Sequence, residues 1–289
     1  MNTLVLKSFA KINLGIEIVG KRKDGYHNVR TILQSITLHD KITLRKYSNG
    51  IRIRCTMPLV PTDERNLVYK AADIFFKKKK MNSGIKIAIR KNIPVGAGLG
   101  GGSSNAAATL RGLNELFNGG MAYRELFQMS KKLGSDVPFF LKGGTALAEG
   151  RGDKLSYINC VPNFWAVIVF PGFSISSLRI YERLDPKEFS SNSKKVLKVE
   201  SLLNAIKRNN LEKLCKNLMN GFEDVIFKKH SEIKKIKEGL VSKRAIGASL
   251  CGSGSSVFGV FKTKDQAEKT LLHFSDLGYS VWIVKSCKG

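Results

Sequence analysis

The sequence predicts an α+β protein made of two domains. Its 289 residues, 43% of them hydrophobic, are enough for two cores in domains of about 150 residues each. Segments of period-2 alternation, typical of strands, are mixed along the chain with segments of helical spacing, and the two kinds do not alternate regularly. That order favours an α+β architecture over a barrel or a doubly wound parallel sheet. We expect an N-terminal domain over residues 1–157 and a C-terminal domain over residues 158–289.

The N-terminal domain is predicted to begin with strands. Alternating apolar residues predict strands over residues 3–9, 12–19, 32–38, 41–46 and 85–89. We expect a turn at His39 and Asp40, between the third and the fourth of these strands. Helical spacing begins after Asn66 and ends in the lysines of residues 77–80, which suit the partly negative C-terminus of a helix. Two more helices are predicted over residues 106–116 and 122–133.

The C-terminal half repeats the mixture of short strands and helices. Strands are predicted over residues 145–148, 165–170, 245–250, 256–261 and 279–284. Helices are predicted over residues 202–218, 226–240 and 266–274. No repeat of fixed period is present in the sequence, which argues against a solenoid or a propeller.

Charge and cysteine content limit the class of protein. Lys and Arg number 49 and Asp and Glu 23, so the formal net charge is +26. This excess favours nucleic acid, an acidic membrane or a phosphorylated small molecule as partner, and charge alone does not choose among them. Five cysteines without a C-x-x-C pair indicate neither a disulfide framework nor a zinc site. Residues 1–20 lack the apolar run of a signal peptide, so we expect a soluble cytoplasmic protein without a membrane partner.

The most informative stretch is the glycine-rich segment of residues 94–104, between a predicted strand and a predicted helix. Five glycines at a helix entrance let backbone amides converge on an anion, and Ser103, Ser104 and Asn105 are good N-cap residues. The segment fits the G-x-G-x-x-G pattern, but the β-α-β unit of a dinucleotide-binding fold does not follow it. It also lacks the lysine of a P-loop, because Gly102 stands in that place. We therefore predict a phosphate-binding loop of a different kind.

Residues 98–107 resemble the ATP-binding motif of the GHMP kinases, a family that includes galactokinase and the homoserine, mevalonate and phosphomevalonate kinases. Three further parts of the chain are similar to the motifs of that family and occur in the same order: residues 9–14 with 23–27, residues 134–140 and residues 252–258. The resemblance implies an N-terminal domain with a left-handed β-α-β crossover and a ferredoxin-like C-terminal domain. It also implies an active site in the cleft between these domains.

Phosphoryl transfer requires a group that accepts the hydroxyl proton and a charge that stabilises the developing alkoxide. By resemblance, Asp136 is the base and Lys11 is its partner. Without the resemblance, a turn residue and an edge-strand charge are the commoner interpretations of these two. Asn13 lies two residues from Lys11, so on a strand both side chains face the same way, and its amide can hold the substrate hydroxyl or a phosphate oxygen.

The resemblance extends to the nucleotide. The residues expected to bind ATP in the glycine-rich segment are Pro94, Gly96, Gly98, Leu99, Gly100, Gly101, Gly102, Ser103 and Ser104. Asn66 and Lys91 occupy positions similar to family residues around the adenine and the phosphates. Magnesium is expected to accompany ATP as its metal complex, held by phosphates and water, and no metal ligand can be read from the sequence.

The substrate side is predicted from residues 23–27 and two other places. Tyr26 and His27 follow a glycine in a turn, where a ring can stack on a base. Within the family, the segment is similar to that of the kinase whose substrate is a cytidine diphosphate derivative, which assigns both residues to cytosine and Tyr181 to the opposite side of the base. Gly252, Ser253 and Gly254 fit two interpretations equally, a loop near the substrate diphosphate or a plain β-turn.

The predicted function is therefore ATP-dependent phosphorylation of the 2-hydroxyl of such a cytidine derivative, in the non-mevalonate route to isoprenoid precursors. The Asp-Gly-Tyr-His segment favours it over a homoserine or mevalonate kinase, whose substrates have no base. A nucleic-acid-binding protein is the alternative from another class, suggested by the charge of +26. The lysines are scattered and no aromatic-basic RNA signature is present, so we expect no specific nucleic acid partner.

Overall fold

The computed structural model describes residues 2–25, 27–160, 162–176, 180–181 and 193–289, with residues 193–198 described by their backbone alone. Mixed helices and strands confirm the predicted α+β class. The chain forms two compact units, each assembled from separate segments. Unit 1 contains Met1–Ala10, Leu38–Val95 and Gly100–Gly143, and unit 2 contains Lys11–Thr37, Gly96–Leu99 and Gly144–Gly289. The domain boundary after residue 157 stays a prediction.

The first half of the chain contains four strands and four helices within the described residues. The strands are β1 (Thr3–Lys21), β2 (His27–Tyr47), β3 (Ile51–Cys55) and β4 (Gly84–Arg90). The helices are α1 (Leu67–Lys79), α2 (Gly101–Leu116), α3 (Tyr123–Leu133) and α4 (Val137–Phe140). Both β1 and β2 are long enough to contribute residues to each unit. The predicted helices in this half are thereby confirmed, with α4 added.

In unit 1, β4 pairs antiparallel with β2 and parallel with β3. The period-2 pattern sets the faces of this sheet: Ile85, Ile87 and Ile89 are buried, while the residues between them are exposed. The buried side packs on α2, and this approach depends on Gly112. A Cβ atom there would lie 2.4 Å from Leu6 and 2.5 Å from Leu44, so a larger residue would push the helix off the sheet.

The predicted turn at His39 and Asp40 is wrong, because β2 runs through both residues without a break. An aspartate favours a turn when its side chain bonds the nearby backbone. Here the carboxylate of Asp40 accepts hydrogen bonds from the amides of Asn92 and Ile93, far along the chain. Long-range partners therefore replace the local ones that would have formed a turn. The two strands predicted within residues 3–19 are likewise a single strand, β1.

The described residues of the second half form seven strands and five helices of six or more residues, and Ile180 and Tyr181 are helical as well. The strands are β5 (Thr145–Gly150), β6 (Lys154–Ile158), β7 (Trp165–Phe170), β8 (Met219–Asn220), β9 (Gly247–Leu250), β10 (Val257–Phe261) and β11 (Ser280–Lys285). The helices are α5 (Ser193–Lys207), α6 (Leu211–Lys216), α7 (Glu223–Lys229), α8 (Ser231–Ser242) and α9 (Lys264–Asp276). None of the helices in the described ranges is both long and apolar enough to cross a membrane.

Unit 2 contains a four-stranded antiparallel sheet in the order β11-β7-β10-β9. Helices separate β7 from β9, and α9 separates β10 from β11, which gives the order β-α-β-β-α-β. This order and this strand arrangement confirm the ferredoxin-like prediction. The sheet is buried against a core that includes Phe222, Ile236, Leu240 and Phe274. Residues 251–256 form the turn that connects β9 to β10 in this sheet.

The helix predicted over residues 202–218 is two helices, and that prediction is wrong in this detail. Asn209 has a left-handed φ of 50°, which an α-helix interior does not allow. The next residue, Asn210, caps α6, since its side-chain oxygen accepts a hydrogen bond from the Lys213 amide at 2.8 Å. Two adjacent asparagines thus end one helix and begin another.

Candidate active site

The glycine-rich segment ends at the N-terminus of α2. Gly100 precedes the helix with a φ of 71°, a conformation that glycine adopts without strain. Because the helix begins at Gly101, the residues Ser103, Ser104 and Asn105 lie inside it, and the prediction that they cap it is wrong. Backbone amides in the first turn of a helix have no helical partner, and the helix dipole adds partial positive charge. This end of α2 is therefore suited to an anion.

The polar groups of Ser104 are engaged inside unit 1. Its amide donates to the Gly100 carbonyl at 2.9 Å, and its buried hydroxyl shares a hydrogen bond of 2.7 Å with the hydroxyl of Ser8. Gly102 is exposed and Ser103 is half-buried. Among the residues predicted to bind phosphates, Gly101, Gly102 and Ser103 are thus the ones whose amides belong to the open end of the helix.

Asp40 is a site residue that the sequence analysis missed. It is completely buried, and its carboxylate forms an ion pair with Lys91 and accepts a hydrogen bond from the side-chain amide of Asn105 at 2.9 Å. Lys91 is thereby held beside the first turn of α2, since a Cβ atom on Gly101 would lie 3.0 Å from its Nζ. The sequence did contain a signal for Asp40. It lies on the buried face of β2 together with Leu38, and a charge on a buried face needs a partner.

Asn66 and Asp136 both lie directly before helices of unit 1. Asn66 caps α1, accepting from the Val68 amide at 2.9 Å and donating to the Pro61 carbonyl at 2.6 Å. Asp136 is half-buried and precedes α4, which packs against α2. Their predicted roles, at the adenine for Asn66 and as the base for Asp136, stay predictions.

Lys11 and Asn13 lie side by side on β1 in unit 2, as their spacing predicts. Both are buried, and the Lys11 ammonium donates to the Asn13 side-chain oxygen at 2.8 Å. The Asn13 amide in turn donates to the hydroxyl of Thr31 on β2 at 2.8 Å. A buried ammonium is costly unless it is bonded in this way, so a lysine at this position of a strand points to a specific role.

Three of the predicted motifs meet around Lys11 within unit 2. The Lys11 amide donates to the Leu99 carbonyl at 3.0 Å. A Cβ atom on Gly252 would lie 3.2 Å from the Lys11 Nζ and 2.9 Å from the Gly98 carbonyl oxygen. The turn at residues 252–254 is therefore close to the Lys11 ammonium, which favours the interpretation of a substrate-side loop over that of a plain β-turn.

Asn220 holds that turn and is a second residue that the sequence analysis missed. Its side-chain amide donates to the carbonyls of Leu250 at 2.9 Å and Gly252 at 2.7 Å, and its oxygen accepts from the Phe222 amide at 2.9 Å. All of its hydrogen-bonding groups thus fix backbone positions. No pattern in the sequence distinguishes this asparagine from the chain's others, because the two carbonyls that it holds are 30 and 32 residues away along the chain.

His27 and Tyr181, two residues assigned to cytosine by the resemblance, are in contact in unit 2. Their ring centroids lie 5.1 Å apart with the planes 25° from parallel, and Tyr181 meets Phe222 edge-to-face at 5.0 Å. Burial lowers the pKa of His27 below its ordinary value, and the charge of Lys21 lowers it further. The imidazole is thereby biased toward its neutral form. Tyr26 lies outside the described residues.

Comparison with known proteins agrees with these motifs. The chain is 43% identical over 282 residues to the 4-diphosphocytidyl-2-C-methyl-D-erythritol kinase of Acetivibrio thermocellus, covering 98% of this chain and 97% of that protein. It is 39% identical to the enzyme of the same name from Clostridium novyi, covering 98% of this chain and 100% of the relative. The chain belongs to this kinase family. The resemblance found in the sequence is thus confirmed.

The wider GHMP kinase family is found in both halves of the chain. Residues 66–144 match the GHMP kinase N-terminal domain and residues 202–279 match the C-terminal domain. A crystal structure of 4-(cytidine 5'-diphospho)-2C-methyl-D-erythritol kinase superposes with a TM-score of 0.84 at 30% identity, covering 99% of this chain and 100% of the other. Homoserine kinase from Cytophaga hutchinsonii, at 19% identity and a TM-score of 0.78 over 100% and 95% of the chains, shares the fold. The protein is a small-molecule kinase.

Proposed function

We propose that the chain transfers the γ-phosphoryl group of ATP to the 2-hydroxyl of 4-diphosphocytidyl-2-C-methyl-D-erythritol, in the non-mevalonate route to isoprenoid precursors. The observation that carries the proposal is the 43% identity to a kinase of that name over 98% of the chain. The geometry of each unit supports it separately. Unit 1 contains a helix N-terminus beside the Lys91 ammonium, and unit 2 contains the Lys11 ammonium beside the turn at residues 252–254.

The ATP phosphates would bind at the first turn of α2. The amides of Gly101, Gly102 and Ser103 supply donors there, and the ammonium of Lys91 supplies a full positive charge. The earlier glycines act differently, because their left-handed φ values shape the segment that leads to the helix. An anion at this position is favoured by the helix dipole as well as by the hydrogen bonds.

The reaction needs one proton acceptor. In the proposed step the 2-hydroxyl oxygen bonds to the γ-phosphorus, the bond from that phosphorus to the β,γ-bridging oxygen breaks, and ADP leaves. Asp136 accepts the hydroxyl proton, and Lys11 stabilises the alkoxide that develops. Asn13, bonded to Lys11 at 2.8 Å, fixes the direction of that ammonium. These roles follow the residues that match the family's motifs.

The cytosine would bind near His27 and Tyr181. The neutral imidazole offers one donor and one acceptor to the edge of a base, and the phenol ring offers a face for stacking. Tyr26 is the predicted partner on the other side of the base. Stacking alone accepts any base, so the choice of cytosine must come from hydrogen bonds to its edge.

Magnesium would enter as part of the ATP complex. Among the described residues, no group of three or more His, Cys, Asp or Glu side chains could hold a metal ion. We propose that the ion is held largely by phosphate oxygens and water, which suits its preference for oxygen ligands. We also propose a cytoplasmic location, since all five cysteines are free thiols, the state that a reducing compartment maintains.

The base is tested by Asp136→Asn. An amide cannot accept the proton, so kcat should fall by about a hundredfold or more while calorimetry shows unchanged ATP affinity. Lys11→Ala should also act on kcat, and the double variant should lose less than the sum of the two effects, because both residues serve one step. Near wild-type turnover in Asp136→Asn would exclude it as the base.

The substrate is tested by competition among acceptors. Purified protein with ATP and magnesium should phosphorylate the cytidine diphosphate derivative in preference to its uridine analogue, homoserine or mevalonate. Tyr26→Ala should weaken binding by the ~1–3 kcal/mol of one stacked base, while Tyr26→Phe, which keeps the ring, serves as the matched control. Equal use of both nucleotides, or preference for an acceptor without a base, would refute the proposed substrate.

A further inference from the structure

The buried carboxylate of Asp40 is bonded on both oxygens, and its partners come from two different parts of unit 1. Oδ1 accepts from the amides of Asn92 at 2.7 Å and Ile93 at 2.9 Å. Oδ2 accepts from Asn105 at 2.9 Å and pairs with Lys91. Hydrogen bonds to an ionised carboxylate are stronger than neutral ones, so this set holds its partners firmly.

These partners lie on either side of the glycine-rich segment. Lys91, Asn92 and Ile93 come directly before Pro94, and Asn105 follows Ser104 on α2. One carboxylate therefore ties both ends of the segment to the same point of β2. The residues between the ends belong to no strand and to no helix before Gly101, and Asp40 fixes the ends of the segment on both sides of them.

The position of Lys91 also depends on Asp40. Its ammonium lies beside the first residue of α2, where the helix carries partial positive charge. A cation at a helix N-terminus is disfavoured unless a negative group offsets it. The side chains of Lys91 and Asp40 are 5% and 0% exposed, so water does not screen this repulsion. The carboxylate is the group that makes the arrangement possible.

We propose that Asp40 is a positioning residue for the nucleotide, resting on the kinase function proposed above. It holds the Lys91 ammonium and the first turn of α2 in the geometry that receives the ATP phosphates, and it does not touch ATP itself. Removing its charge should therefore weaken ATP binding without changing the chemical step.

Asp40→Asn is the direct test, because the amide has nearly the same shape but carries no charge and presents an NH₂ group to donors. Calorimetry should show ATP binding weakened about tenfold to hundredfold. The kcat at saturating ATP and the KM for the second substrate should stay within about twofold of wild type. Asp73→Asn is the matched control, since Asp73 is an exposed carboxylate of unit 1 that accepts from Lys77 at 2.8 Å. It should leave ATP binding unchanged.

A merely structural role is distinguished by a variant that loses stability elsewhere in the same helix. Leu113→Ala removes a fully buried side chain of α2 and should destabilise the protein substantially, yet its ATP affinity should remain close to that of wild type. If Leu113→Ala and Asp40→Asn weaken ATP binding equally, Asp40 only stabilises the fold. Should Asp40→Asn not fold, Asn105→Ala removes a single donor and should weaken ATP binding by about threefold or more.

Coupling to Lys91 completes the test. Lys91→Met should weaken ATP binding, and Asp40→Asn in the same chain should add less than it does alone, because the ammonium that it positions is already gone. Strict additivity would refute the action through Lys91. Wild-type ATP affinity in Asp40→Asn would refute the positioning role and leave the kinase function standing, whereas a wild-type protein that does not bind ATP would refute both.

Discussion

The two halves of the glycine-rich segment are held in place by different forces. Residues 96–99 belong to unit 2 and are held by close backbone packing: a Cβ atom on Gly98 would lie 1.8 Å from the Cys251 carbonyl oxygen. Residues 100–105 belong to unit 1 and are held by a buried charge, the carboxylate of Asp40. Residues 96–99 pack closely because their glycines have no side chains, whereas residues 100–105 are held by the side chain of Asp40.

This difference separates two uses of glycine within one motif. Gly96 and Gly98 have left-handed φ values of 66° and 79° and neighbours that leave no room for a side chain. Gly102 has open space around it, with only one Leu67 carbon at 4.0 Å from its Cβ position. The early glycines are therefore needed by the fold, while Gly102 leaves its surroundings open for a ligand.

The largest expected loss of stability comes from removing the cation that pairs with Asp40, the carboxylate that holds residues 100–105. Lys91→Met leaves the Asp40 carboxylate buried without its cation, which should cost about 3–5 kcal/mol of the free energy of unfolding. Urea unfolding measures it. The control is Lys77→Met, which removes an exposed lysine from its pair with Asp73 and should leave the unfolding midpoint nearly unchanged. Equal losses in the two variants would contradict the contrast between buried and exposed pairs.

Adding a side chain within the closely packed residues 96–99 should lower the free energy of unfolding somewhat less. Gly98→Ala combines a left-handed φ with an overlap against a backbone carbonyl, so we expect a loss of about 2–4 kcal/mol in unfolding experiments. Gly102→Ala is the matched control on the other half. There the new methyl group meets nothing closer than 4.0 Å, and alanine in a helix should add up to about 1 kcal/mol of stability. A stable Gly98→Ala would show that the Cys251 turn yields easily.

The smallest effect is expected at His27, whose ring contacts the ring of Tyr181. Its pKa is lowered from 6.5 by burial, so the folded protein resists the proton that the unfolded chain accepts. The contribution of His27 to the free energy of unfolding should therefore be constant above about pH 6.5 and fall as the pH decreases below it. His27→Gln should remove this part of the pH dependence, and His273→Gln should retain it. Identical pH profiles for wild type and His27→Gln would contradict the lowered pKa.

The sequence predicted the fold class, most of the elements and the family, because these depend on local patterns and contiguous motifs. Alternation predicted the strands that pair as β2 and β4, and the resemblance to the GHMP kinases implied the ferredoxin-like arrangement of unit 2. Lys11 with Asn13 is a local pattern of the same kind, and the structure brings the two side chains together.

What the sequence did not predict depends on partners far apart along the chain. Asp40 was expected in a turn because aspartate is common there, yet its partners lie 51 to 65 residues away. Asn220 bonds carbonyls 30 and 32 residues distant, and no local pattern encodes that. The break between α5 and α6 was missed for a different reason. Asparagine favours helix caps but also occurs inside helices, so Asn209 and Asn210 did not by themselves indicate a break.

The turn that packs on Gly98 carries its own chemical reporter. Burial raises the pKa of the Cys251 thiol far above its ordinary value, and although Lys11 opposes that shift, the side chain is completely buried. A neutral, buried thiol does not react with alkylating reagents until its surroundings open. The rate at which Cys251 is alkylated in the native protein therefore depends on how readily the turn at residues 251–254 opens. A ligand that closes on this turn should lower that alkylation rate.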